Sequence, residues 1–180
     1  ASELVYPLLP YLVASTLSGG PLALGLMEGA AEAASSLLKL VSGAWCDRLG
    51  RVRPFLVGGY GAASLARPPI ALAQSWPVVL ALRVGDRLGK GLRSAPRDAL
   101  LSRSVEPAQL GLAFGVHRAF DNCGAVVGPL CAAALLALGM PVRDILAWAA
   151  LPGVLCMALV LRVRESPASP AHALGRRDWR

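Results

Sequence analysis

Residues 43–54 read GAWCDRLGRVRP, with Asp47, Arg48, Arg51 and Arg53 crowded together where a long apolar run ends. A fifth charge, Lys39, lies one helical turn before the stretch opens. The chain around them is apolar: 55% of its 180 residues are hydrophobic and only 16% are charged. That is the composition of a membrane-embedded protein, in which charges are gathered at a few places. Where those places fall decides the fold.

A helix needs about 20 apolar residues to cross the hydrocarbon core. The sequence predicts an all-α polytopic membrane bundle of six transmembrane helices. They cover about 1–17 (truncated), 22–45, 55–74, 77–100, 110–138 and 145–163. The connections SGGP, RLGRVRP, AQSWP, SRSVEPAQ and GMPVRD are rich in turn residues. The opening ELVYPLLPYLVASTL lacks a basic leader, so it reads as a helix rather than a signal peptide. Trp45, Trp76 and Trp148 fall near span ends, where aromatic side chains sit at the membrane interface.

Orientation follows from Lys and Arg in alternate connections. The second holds Arg48, Arg51 and Arg53, the fourth Arg103, and the tail Arg162, Arg164, Arg176 and Arg177. The opposite side has Arg143, next to Asp144. The positive-inside rule therefore places GAWCDRLGRVRP in the cytoplasm, as expected of a multi-pass protein of the inner (cytoplasmic) membrane.

The net charge of +7 has the same origin. Nucleic-acid binding would need a solvated basic face and far fewer apolar runs. Cys46, Cys123, Cys131 and Cys156 show no metal-ligand spacing, so no metal or cofactor is expected. GDRLGKG (85–91) fits neither phosphate-loop pattern, and no strand precedes it. DRLG recurs at 47–50 and 86–89, but once in a loop and once in a span, so it is not an internal repeat. No nucleophile elbow or paired-carboxylate motif stands out, and His117 and His172 are isolated, which argues against an enzyme.

Three spans carry charges that cannot face lipid. In the second, Glu28, Glu32, Ser35, Ser36 and Lys39 share one helical face. In the fourth, Arg83, Asp86, Arg87, Lys90, Arg93, Ser94 and Arg97 form another stripe. In the fifth, His117, Arg118 and Asp121 are followed by Gly124 and Gly128. Each ionisable group at mid-membrane costs about 2.5–3.5 kcal/mol on insertion scales, so these spans are expected to line a polar cavity. The third and sixth spans, nearly free of charge except for Arg67, are expected to face lipid. Counting residues from Pro21 and Trp76 puts Glu28 and Arg83 at one depth and Glu32 and Arg87 about 6 Å deeper, so these pairs should meet. The cations of the fourth span exceed what Glu28 and Glu32 can neutralise. An anionic substrate, or acidic groups elsewhere in the protein, would complete the count.

GAWCDRLGRVRPFL resembles the cytoplasmic signature between the second and third spans of the major facilitator superfamily. Gly43, Asp47, Arg48, Gly50 and Arg51 match it in register, while Trp45 replaces the usual Leu and Val52 stands where a basic residue is common. GAVVGPL (124–130) is similar to the Gly-Pro segment of the fifth span in the antiporter branch. Arg83 falls where the family often has an intramembrane Arg, although Asp86-Arg87 replaces the usual Gln-Gly, a departure from that motif.

The resemblance implies that residues 1–164 are the first six-helix half of a twelve-helix transporter and 165–180 the start of its central cytoplasmic loop. The implied activity is secondary transport of a small molecule by alternating access, coupled to protons, in the manner of an efflux or antiport system. The other reading is a membrane sensor or assembly factor that keeps the fold without transport. The resemblance further implies that Asp47 faces a helix N-terminus in the other half, while Arg48 and Arg51 tie the loop down as a cytoplasmic gate. Gly124 and Gly128 are spaced as a small-residue packing face, and Pro129 is expected to bend the span. Asp121, with His117 one turn away and Arg118 beside it, is the expected proton carrier; Glu28 and Glu32, paired with arginines, are not.

Overall fold

The computed structural model describes residues 2–13 and 20–162. Residue 1, residues 14–19, which begin inside the first expected span, and the tail from 163 onward lie outside the described residues. The described residues form eight α-helices and contain no strand. They are α1 (Ser2–Val5), α2 (Leu8–Tyr11), α3 (Pro21–Leu49), α4 (Arg53–Ala66), α5 (Trp76–Arg103), α6 (Leu110–Ala137), α7 (Val142–Trp148) and α8 (Ala150–Arg162).

Proline and glycine set most of the boundaries. Pro21 opens α3 at the first helical position, where its missing N–H costs nothing. Gly50 closes α3 with φ 64°, and its N–H donates to the Cys46 carbonyl at 2.9 Å. This left-handed cap is open to glycine with little strain. The expected third span is shorter than its apolar run: α4 ends at Ala66, and Pro68–Leu72 forms a 3-10 turn. Pro68 and Pro69 cannot donate to the carbonyls of Ser64 and Leu65, so two successive α-helical bonds are lost. The expected sixth span is likewise divided into α7 and α8, since Pro152 leaves the Trp148 carbonyl without its partner. α6, in contrast, runs through Pro129 as one 28-residue helix.

Among the described residues, two helical stretches qualify as membrane-crossing by length and apolar character, Pro107–Ala137 and Val142–Arg162. α3 and α5, at 29 and 28 residues, have the length: about 42–44 Å at 1.5 Å per residue. Their polar stripes are what lower their hydropathy.

α5 is the central helix, packed between α3 and α4. The approach is close because small residues meet. A Cβ on Gly89 would lie 2.6 Å from the Gly59 carbonyl oxygen, and one on Gly91 would run into the Ser35 carbonyl. Ser42 Oγ bridges the same seam, donating to the Gly91 carbonyl at 3.1 Å. α4 does not simply face lipid as expected. It buries Phe55, Leu56, Gly59 and Ala63 and is also packed on α8, where Ser64 Oγ donates to the Gly153 carbonyl at 3.2 Å.

Two apolar clusters mark the ends of the bundle. One gathers Leu8, Leu9, Met27, Ile70, Val79 and Ile145; the other gathers Cys46, Val52, Phe55, Leu56 and Val160. Arg143 reaches the Ala73 carbonyl at 3.1 Å at the first end, and Arg53 reaches the Leu161 carbonyl at 2.8 Å at the second. Alternate connections are thus brought together, as an up-and-down bundle requires.

Candidate functional site

The charged side chains of the stripes divide into two groups. The first is a closed network across α3, α4 and α5. Arg67 Nε lies 2.8 Å from Asp86 Oδ1, and Asp86 Oδ2 is 3.6 Å from an Arg83 guanidinium nitrogen. Arg83 Nε donates to Glu28 Oε1 at 3.1 Å. Arg87 lies 3.8 Å from Glu28 and 3.9 Å from Glu32. Three cations therefore face three carboxylates, and every member has an opposite charge within 4.0 Å. The Tyr6 ring lies under both arginines, 5.4 Å from the Arg83 guanidinium and 5.9 Å from that of Arg87. This geometry adds a cation–π attraction.

Burial makes the pairing obligatory. Arg83 is 1% exposed and Asp86 3%. A charge removed from water to that degree is tolerated only when paired and hydrogen-bonded. Glu28 meets Arg83 and Glu32 meets Arg87, the pairs that helical depth predicts. Arg67 was not legible as a member. It stands alone in an apolar segment, and the only available signal was that such a charge must find a partner.

The second group lines a cavity of about 450 Å3 between α3, α5 and α6, with α1 contributing Glu3. Lys39, Lys90, Arg93, Arg97 and Arg118 supply five cations, and Glu3, Asp98 and Asp121 three carboxylates. Arg97 is shared, 3.7 Å from Asp98 and 3.4 Å from Asp121. Arg93 turns toward α4, donating to the Gly59 carbonyl at 3.3 Å with its guanidinium 4.4 Å from the Tyr60 ring centroid. Lys39, Lys90 and Arg118 make no ion pair within 4 Å among the described residues.

Asp121 has the expected histidine but a different cation. His117 Nε2 lies 3.6 Å from its Oδ2, one turn away on α6, and the guanidinium within reach is Arg97 of α5 rather than Arg118. Arg118 is three residues from Asp121, a spacing that would allow contact on one helical face, yet it makes no ion pair with it. The buried Nε atoms of Arg87 and Arg97 and Nε2 of His117 have no hydrogen-bond partner.

The expected gate residues lie at the end of α3. Asp47, Arg48 and Arg51 are exposed, and none makes an ion pair among the described residues. Gly43 is positioned where a Cβ would touch Ala95 of α5 at 3.4 Å. The packing expectation for α6 separates into two outcomes. A Cβ on Gly128 would lie 2.8 Å from the backbone of Glu3, so Gly128 carries the α1–α6 approach. At Gly124, which lines the cavity, a Cβ would meet nothing within 4 Å among the described residues.

The whole chain, residues 1–180, matches the Major Facilitator Superfamily profile, and the protein belongs to that family of membrane-integral transporters. An uncharacterized MFS-type transporter of Methanocaldococcus jannaschii is 36% identical over 173 residues, which are 96% of this chain and 43% of that protein. An uncharacterized protein of Mycobacterium tuberculosis is 34% identical over 157 residues, 87% of this chain and 38% of that protein. The multidrug resistance protein MdtH of Cronobacter sakazakii is 31% identical over 132 residues, 73% of this chain and 33% of that protein. The chain spans less than half the length of these relatives.

Proposed function

We propose that this chain is the first six-helix half of a secondary active transporter, which moves a small molecule across the inner (cytoplasmic) membrane by alternating access. Residues 1–164 are the half-domain in this reading, and 165–180 begin the central cytoplasmic loop. The observation that carries it is the polar cavity between α3, α5 and α6, set beside a charge network whose members are all paired. A polar volume at membrane depth is expensive unless a solute uses it.

The coupling ion is the proton, and Asp121 carries it in antiport with an exported solute. Of the carboxylates considered, Asp121 is the one with both a histidine and an exchangeable arginine in reach, His117 and Arg97. A proton arriving on Asp121 would release Arg97. The loop bearing Asp47, Arg48 and Arg51 is the cytoplasmic gate, closing against the second half of the protein.

Pyranine-loaded liposomes holding the full-length protein test this. A panel of aromatic acids, amines and neutral compounds is added outside, and internal pH is followed together with solute exchange. Solute-dependent proton flux supports the reading. Binding of a compound without exchange across the bilayer would turn the assignment to a sensor that keeps the fold.

A further inference from the structure

We propose that the cavity takes amphipathic organic anions, with a carboxylate or phosphate held by Lys39, Lys90 and Arg118 and the attached ring or chain laid on Phe120 and Gly124. Passage of such a molecule rests on the transporter reading above; its binding follows from the cavity itself.

The two charge groups differ in balance although they share α5. In the closed network the arginines Arg67, Arg83 and Arg87 are matched by Asp86, Glu28 and Glu32. In the cavity, Asp98 and Asp121 both lean on Arg97, and Arg93 is committed to Gly59 and Tyr60. Three cations without ion pairs then face the one remaining carboxylate, Glu3. Unused donors and excess positive charge gathered along one cavity wall attract an anion, although Lys39, Lys90 and Arg118 are themselves exposed.

The shape adds the second half of the ligand. About 450 Å3 lies within the usual range of small-molecule sites, roughly 300–1,000 Å3. Phe120 supplies an aromatic surface, and the open space over Gly124 leaves room beside it. Lysine ammonium groups on flexible stems accept anions of varied geometry, where a rigid guanidinium fork would select a planar one. The chemistry defined is therefore one acidic head on an apolar body, not a bare inorganic ion.

The test uses full-length protein in detergent and three naphthalene probes: 1-naphthoate, 1-naphthyl phosphate and 1-naphthylmethylammonium. Both anions should raise the melting temperature in a dose-dependent way, and the amine should not. Lys39→Gln and Lys90→Gln should each weaken anion binding about tenfold, the value of one charge-assisted hydrogen bond. Lys39→Arg and Lys90→Arg should retain most of it. The inference is overturned if neither anion stabilises the protein or if the amine stabilises it equally. It also falls if the Gln variants bind like wild type, since carboxylates from the rest of the protein would then be what neutralises the lysines. Counterflow of labelled 1-naphthoate in liposomes separates the two claims. Binding without exchange supports the anion site and counts against transport. Exchange of the amine without anion binding keeps transport and overturns the anion site.

Discussion

Arg67, just beyond the last turn of α4, and Asp86, in the middle of α5, are held at 2.8 Å with side chains only 6% and 4% exposed. Asp86 also lies 3.6 Å from Arg83, whereas Arg83 has Glu28 as a second partner. The two halves of the pair are therefore not equivalent. Asp86→Ala strands Arg67 and should cost about 3–5 kcal/mol, the penalty for a buried charge left alone. Arg67→Met leaves Asp86 with Arg83 and should cost less. Melting curves of the two full-length variants in detergent check the order, and an equal loss would mean that Arg83 does not support Asp86.

The α4–α5 seam leaves no room for a side chain at Gly89. Gly89→Ala puts its methyl 2.6 Å from the Gly59 carbonyl oxygen and 2.9 Å from the Ala63 nitrogen, so helices must part. A loss of about 1–3 kcal/mol is expected from such overpacking. Gly124→Ala, where nothing lies within 4 Å, should melt like wild type.

Proton coupling is expected at Asp121 and not at the network glutamates. Asp121→Asn should abolish the dependence of transport on the pH gradient while leaving solute exchange measurable. Glu32→Gln, at the network's exposed edge (its side chain is 65% exposed), should keep that dependence. Uptake measured across a pH series decides, and the opposite pattern would exchange the two roles.

Asp47 is exposed and has no ion-pair partner among the described residues, so its removal should leave the fold of this chain alone. Asp47→Asn is expected to lower the initial transport rate about fivefold or more, a coupling of the usual 1–3 kcal/mol between gate and transport. Protein level should not change. Equal rates at equal protein level would reduce the loop to a membrane-surface anchor.

The hydrogen bond from Arg53 to the Leu161 carbonyl brings the start of α4 and the end of α8 together. Both should be cytoplasmic. A cysteine placed by Arg53→Cys is expected to resist an impermeant maleimide added outside intact cells and to react in everted vesicles. Labelling from outside would invert the topology.

Periodicity made much of this legible. The stripes on the second and fourth spans were countable, so Glu28 and Arg83 could be paired by depth alone. Membership of Arg67 was not countable, because a lone charge has no period and its partner lies on another helix. The same limit hid Arg97 at Asp121: contacts between helices are set by how glycines such as Gly89 and Gly91 let backbones approach, and a single chain of letters does not order its own neighbours. The interruptions at Pro68-Pro69 and Pro152 had a visible cause, but apolar composition continued across them and masked the break. Gly124 and Gly128 looked alike by spacing and differ in surroundings, since among the described residues Gly128 alone of the two has a helix opposite.

The closed network has an electrical consequence. Arg67, Arg83 and Arg87 against Glu28, Glu32 and Asp86 sum to zero, so moving this part of α3, α4 and α5 through the membrane carries no net charge across the potential. The cavity is different. Five cations against three carboxylates leave it two positive charges, and each elementary charge displaced through a full 100 mV is worth about 2.3 kcal/mol. In the proposed transport cycle, whatever occupied the cavity would set how strongly the resting voltage opposes or assists each half. A bound dianion would make the loaded movement nearly silent, and the empty return would be the step that the voltage drives.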